Sequence, residues 1–134
     1  MSVKSNSGRV FKTKWFVRFA QKQDITDADL CKAFIDAKRG IIDADLGGGV
    51  IKQRIARPQE GKSGGFRAIV LFQVAQHCFF VYGFPKNQRS NITTNELKEF
   101  RALATELLNL SETQLETALD AGKFQEVTCY EKNL

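Results

Sequence analysis

Lys52 and Arg54 stand two residues apart in the alternating stretch VIKQRIAR. In an extended strand, side chains at i and i+2 share a face about 7 Å apart, close to the spacing of successive phosphates on a nucleic-acid strand. Arg67 opens the next apolar run, GGFRAIVLF, and its planar fork suits bidentate contact with a phosphate. Lys86, Asn87 and Arg89 follow a third run, in the exit GFPKNQRSN. Arg57 and Lys62 lie in the segment that joins the first two runs. Together these side chains make a candidate surface for phosphates. The same alternation also suits a solvated strand face, where Lys and Arg are common, and the Lys52/Arg54 pair taken alone favours that face.

The charge distribution favours the first reading. Residues 50–92 hold seven basic side chains and one acidic one, a sum of +6, whereas the whole chain of 134 residues sums to +5. Everything outside this stretch therefore sums to −1. Residues 93–134 hold four basic and eight acidic groups, or −4, which suits a solvated helix face or shielding of the basic part. A sequence pI of about 9.2 points to anionic partners, nucleic acid first and an acidic protein second.

Composition bounds the remaining classes. Hydrophobic residues at 43% and charged residues at 26% are ordinary for a globular chain, and 134 residues are enough for one domain with a real core. The expectation is a single domain over 1–134, frayed over 1–8 and extended by a helix and strand over 111–134. Cys31, Cys78 and Cys129 are odd in number and lack CxxC spacing, which argues against a disulfide scaffold or a zinc site and fits a reducing cytoplasm. No secretory leader and no membrane-length apolar run is expected. Asp43 to Gly49 has a superficial likeness to a calcium loop but lacks its further ligands and its closing Glu, so no metal and no cofactor is assigned.

The elements that must position the cations can be read in order. Val10 to Lys14 alternates as a short strand, and Trp15, Phe16, Phe19 and Ala20 then have the spacing of a buried helical turn, with Trp15 as a core anchor. Thr26 caps a helix that runs to Arg39, with Gly40 ending it. After a connector over 41–49, strands are expected at Val50–Arg57, Phe66–Val74 and His77–Phe84. Ala75 and Gln76 form the hairpin turn between the last two, and His77 is a surface turn residue. The run from Cys78 to Phe84 suits a strand covered on both faces. Helices follow from about Thr94 to Leu108 and from Glu112 to Ala121, then a last strand or docked tail through Phe124, Val127 and Cys129. An antiparallel hairpin would gather Arg67, Lys86 and Arg89 at one end of the sheet, within reach of Arg54.

This order of elements resembles the RelE/ParE superfamily of bacterial toxins from type II toxin–antitoxin modules, in its RelE-like/HigB-like branch. The resemblance rests on Lys52 with Arg54, on Gly64-Gly65-Phe66-Arg67, and on the exit from Gly83 to Asn91, and it covers roughly residues 9–110. It implies an α+β, RelE-like fold: a small twisted, mainly antiparallel sheet packed with an N-terminal helical pair and C-terminal helices. It also implies ribosome-dependent cleavage of mRNA without a metal, in which the 2′-hydroxyl attacks the adjacent phosphate. Such cleavage needs a proton acceptor, charge stabilisation on the phosphorane and a proton donor for the 5′ oxygen.

Carried over residue by residue, Lys52 and Arg54 orient the RNA and assist proton removal, and Arg67 clamps the scissile phosphate. Arg57, Lys62, Lys86, Asn87 and Arg89 bind RNA around it. The implied partners are mRNA, the ribosome and a cognate antitoxin of helix-turn-helix type, in the bacterial cytoplasm and away from membranes. Two departures stand out. No tyrosine follows the basic exit, and Asn87 occupies a position where RelE has arginine. The alternatives are a gyrase inhibitor of the ParE kind and a non-catalytic RNA-binding module.

Overall fold

The structure is a computed structural model that describes residues 8–57, 61–73 and 77–129, without the side chains of residues 57 and 61–64. The expected fraying over residues 1–7 and the expected turn at Ala75 and Gln76 lie outside the described residues. The strands are β1 (Val10–Thr13), β2 (Ala44–Gly47), β3 (Val50–Arg57), β4 (Gly61–Phe72), β5 (Cys78–Pro85) and β6 (Phe124–Val127). The helices are α1 (Lys14–Gln23), α2 (Asp27–Lys38), α3 (Thr94–Leu107) and α4 (Glu112–Asp120).

All six strands join one mixed sheet in the order β2-β3-β4-β5-β1-β6. β2 through β5 pair antiparallel, β1 runs parallel to β5 from Val10 opposite Cys78, and β6 returns antiparallel to β1. The fold is thus α+β with a mainly antiparallel sheet, as the resemblance implied. Helices cover both faces. On one side Phe16, Leu30 and Phe34 of α1 and α2 pack with Ile55, Val70 and Phe80. On the other, Leu107 of α3 and Leu115 of α4 pack with Phe11, Ile69, Leu71 and Phe79. Period-2 alternation along β4 divides Phe66, Ala68, Val70 and Phe72 from Ile69 and Leu71, so one strand feeds both cores. Burying each such Phe or Leu is worth about 1.5–3 kcal/mol.

Local signals set the helix ends. Thr13 ends β1 and caps α1, its hydroxyl accepting from Phe16 N at 3.3 Å. The expected single turn is therefore a ten-residue helix, closed by Asp24 in the left-handed region at φ 56°. Thr26 and Asp29 form a capping box on α2, Thr93 and Glu96 on α3, and Ser111 and Gln114 on α4. The cap of α3 is thus one residue earlier than Thr94. The connector over 41–49 also proves more ordered than expected: it contains β2, and Arg101 of α3 donates to the carbonyls of Leu46 and Gly47.

Two further expectations need correction. Cys31 and Cys129 form a disulfide across 98 residues. Odd cysteine counting missed it because only tertiary pairing of β6 with β1 brings the tail to α2. The third, Cys78, is free and fully buried, and burial pushes its thiol up. His77 is not a bare turn residue. It is half-buried, edge-on to Phe11 at 5.8 Å, with Nε2 at 2.8 Å from Glu112 at the start of α4.

A β-bulge interrupts the β4–β5 ladder: Ile69 pairs with Tyr82, Val70 with Phe80, and Val81 is the extra residue. Past the bulge the alternation is re-phased. Phe79, Tyr82 and Phe84 all reach the α3/α4 side, while Phe80 reaches the other. Gly83 lies beneath Phe19 so closely that an added Cβ would be 2.5 Å from its Cε2.

Candidate active site

The register aligns two rows across the sheet. Lys52, Ile69 and Tyr82 form one, and Arg54, Arg67 and Phe84 form the next. Ile69, Tyr82 and Phe84 all belong to the α3/α4 side of the sheet, and strand alternation puts Lys52, Arg54 and Arg67 on that same face. Like charges directly opposite each other weaken a strand pair. Taken by itself, the Arg54–Arg67 opposition would weaken this part of the ladder.

Asp43, just before β2, supplies a counter-charge to Arg67 and Lys52. Arg67 Nε donates to its Oδ2 at 3.1 Å, and Lys52 Nζ lies 3.8 Å from the same oxygen. Lys52 Nζ also approaches Ser90 O at 3.5 Å. The side chains of Lys52 and Arg67 are each only 13% exposed. That exposure decides against a solvated strand face for these two. The Nη1 of Arg67 is buried and has no hydrogen-bond partner among the described residues.

Asp43 is itself held from behind. Gln53, the one buried polar residue among those described, faces the opposite side of β3. Its Oε1 accepts from Asp43 N at 3.2 Å, and its Nε2 donates to Ala33 O at 3.0 Å and Ile41 O at 2.8 Å. One buried amide thus ties the α2–β2 connector to both helix and sheet, and so fixes where the Asp43 carboxylate stands. A buried amide with all these bonds made is stable; with one lost it is costly.

The exit segment lies over the same face. Arg89 donates through Nε to Asn91 O at 2.9 Å, through Nη1 to the Tyr82 hydroxyl at 3.1 Å, and through Nη2 to Glu96 at 2.6 Å. Its guanidinium stands 5.4 Å above the Phe84 ring. The bond with Glu96 raises Arg89 above its ordinary pKa, and the same bond holds the Glu96 carboxyl below its usual range. Arg89 is therefore engaged with protein partners as well as placed at the expected end of the sheet. Lys86 and Asn87 are exposed in the turn after β5, with Lys86 N donating to Gly65 O at 3.1 Å. Arg54 is exposed. The side chains of Arg57 and Lys62 lie outside the described residues.

The structure thus brings Lys52, Arg54, Arg67 and Arg89 to one end of one face, as the hairpin geometry implied. It adds residues that the sequence reading passed over. Asp43 was read only as part of a calcium-like run, and its role depends on the path of Gln53. Tyr82 was hidden in an apolar run, and only the bulge turns it toward Arg89. Trp15 is corrected from core anchor to surface: it is 43% exposed, with its ring 4.6 Å from that of Tyr82. Among the described residues no cluster of three or more His, Cys, Asp or Glu side chains is arranged to hold a metal ion.

A protein-family model described as the RelE toxin of the RelE / RelB toxin-antitoxin system matches residues 8–127. That span runs from the residue before Arg9 to the end of β6 and includes every side chain of the cationic face. Comparison with curated proteins finds no match. No helix among the described residues is long and apolar enough to cross a membrane.

Proposed function

From the premise that this chain belongs to the RelE toxin family, and so is a toxin of the toxin–antitoxin kind, we propose that it is a ribosome-dependent endoribonuclease that cuts mRNA and stops translation. One observation carries this reading: Arg67 keeps a buried Nη1 with no partner among the described residues beside Lys52, both side chains almost closed off from solvent. A buried unpaired donor costs on the order of 1–3 kcal/mol, and more when charged. Such a group has a use where an anion arrives to accept from it.

In this reading Arg67 grips the scissile phosphate through its Nη edge while Asp43 holds the Nε edge and fixes the plane of the fork. Arg54 binds the adjoining backbone, and the Lys52 amine, in its neutral form, accepts the 2′-hydroxyl proton and becomes the ammonium. The 2′ oxygen attacks phosphorus, the bond to the 5′ oxygen breaks, and a 2′,3′-cyclic phosphate forms. Developing charge on the phosphorane falls beside fixed cations that need no reorganisation, the usual source of large rate effects. The leaving 5′ oxygen needs a proton. Tyr82 is suited to donate it, because its oxygen already accepts from Arg89 and its own O–H remains to give. The tyrosine absent after the exit thus has a counterpart one strand earlier. Lys86 and Asn87, exposed at the rim, contact flanking phosphates or ribosomal RNA; Arg57 and Lys62 extend that set.

The family implies an antitoxin partner. We take it to be a small helix-turn-helix protein whose acidic or extended segment covers the cationic face. Purified chain added to translating ribosomes tests the enzymatic reading. Message cleavage that disappears when the antitoxin is added supports it. Intact messages together with inhibited supercoiling by purified gyrase would move the assignment to the gyrase-directed alternative.

A further inference from the structure

Trp15 is the only tryptophan in the chain and one of two large hydrophobic residues exposed among those described. Its place follows from the end of β1. That strand pairs with β5 only as far as Lys12 opposite Phe80. Beyond that point α1 begins, and Trp15 flanks β5 where a longer β1 would have lain. There its ring centroid is 4.6 Å from Tyr82 and 5.3 Å from Phe19. Tyr82 in turn meets Arg89 at 3.1 Å. Tyr82 and Phe19 are half-buried, so Trp15 is the exposed outer member of an aromatic group that begins at the cationic face.

The helix beside it is basic and uncompensated. Lys14, Arg18 and Lys22 recur at i, i+4 and i+8, all are exposed, and α1 holds no acidic residue. None of the three makes an ion pair among the described residues, whereas the neighbouring Arg9 and Lys12 on β1 pair with Glu126 and Asp27. Like charges at i, i+4 weaken a helix, and an exposed indole gains nothing from water. Stacking surface and a row of cations at phosphate-like intervals is the combination by which proteins hold single-stranded nucleic acid without reading its sequence.

We propose that Trp15 is a base-stacking platform for single-stranded RNA that continues past the cleavage site, with Lys14, Arg18 and Lys22 following its phosphates. The inference rests on the reading of the cationic face as an RNA site and adds a second, non-catalytic subsite to it. The platform sits outside the Arg67 cluster and needs no chemistry to work.

The sole tryptophan reports its own occupancy. A short single-stranded RNA made uncleavable by 2′-O-methylation, titrated into the full chain, is expected to quench Trp15 emission, with affinity falling as salt rises. Replacing the stacked nucleotide by an abasic one abolishes the quench while phosphate-driven binding persists. Measured by anisotropy of a labelled oligonucleotide, Trp15→Ala weakens binding roughly 5- to 100-fold and Trp15→Phe restores most of it. Arg18→Gln with Lys22→Gln flattens the salt dependence.

Unchanged emission at saturating oligonucleotide, absent binding, or equal affinities for wild type and Trp15→Ala overturns the platform. So does quenching by a polyglutamate peptide and not by RNA, which would make the surface a docking site for an acidic protein. Cleavage on translating ribosomes is scored separately. Quenching without cleavage would remove the nuclease reading and leave the platform standing.

Discussion

Arg54 and Arg67 are direct cross-strand partners on β3 and β4, two like charges opposed on one sheet face. Asp43 offsets part of this arrangement through Arg67 Nε, and Arg67 Nη1 is buried without a hydrogen-bond partner among the described residues. A fold selected only for stability would place a smaller or uncharged residue at one of these positions. Under the proposed function, the pairing is kept because phosphate recognition takes precedence over stability.

Arg67→Met should separate the two demands. It keeps the aliphatic stem and removes the charge. Activity is expected to fall at least about 100-fold, while thermal stability changes little, because removal of a buried charged donor offsets loss of the bond to Asp43. Growth arrest on expression and a melting curve check the two halves.

Asp43 is expected to act by orienting Arg67. Asp43→Ala should cost about 10- to 100-fold in cleavage rate. Asp43→Asn retains an oxygen that can accept from Arg67 Nε and should recover a large part of that loss. If Asn is as inactive as Ala, the carboxylate takes part in proton transfer instead.

Gln53→Leu tests the support behind Asp43. Its loss leaves Ala33 O, Ile41 O and Asp43 N without the amide that joins them. A destabilisation of about 2–4 kcal/mol is expected for unsatisfied buried groups. Per folded molecule, cleavage should fall as it does for Asp43→Ala.

Gly83→Ala tests the packing that sets the bulged strand. The added methyl would overlap Phe19, the ring between Trp15 and the core. A loss of about 1–3 kcal/mol is expected, and Phe19→Leu in the same chain should restore part of it.

The acid limb of stability should depend on Glu96. Its carboxyl is held below the usual range chiefly by the hydrogen bond from Arg89. A lowered folded-state value means that stabilisation is fully present above the ordinary carboxylate range and is lost as pH falls through the lowered value. Glu96→Gln keeps the capping box with Thr93 and should flatten the acid limb of the melting temperature against pH. A profile identical to wild type would show that the pair contributes nothing to folding.

Much of the frame was legible in the residues. Period-2 alternation located β3 and divided the faces of β3 and β4 correctly, although β4 begins at Gly61, earlier than the expected Phe66; Thr26 and Gly40 marked helix ends because their chemistry is local. What escaped the sequence depends on distant partners. Asp43 becomes a site residue only through Gln53, whose bonds reach back to Ala33 and Ile41. Tyr82 reaches Arg89 because one extra residue in β5 shifts the alternation, and no periodicity announces where a bulge falls. Trp15 has the spacing of a buried helical residue, but β1 ends too early to cover it. Cys31 and Cys129 meet only after β6 has paired with β1.

Mapping of new mRNA 5′ ends after brief induction tests the central claim most directly. Wild-type chain is expected to produce cuts within translated frames, lost when ribosomes are kept off the message and lost again in Arg67→Met. Growth arrest with intact messages, or cuts that persist undiminished in Arg67→Met, would contradict it.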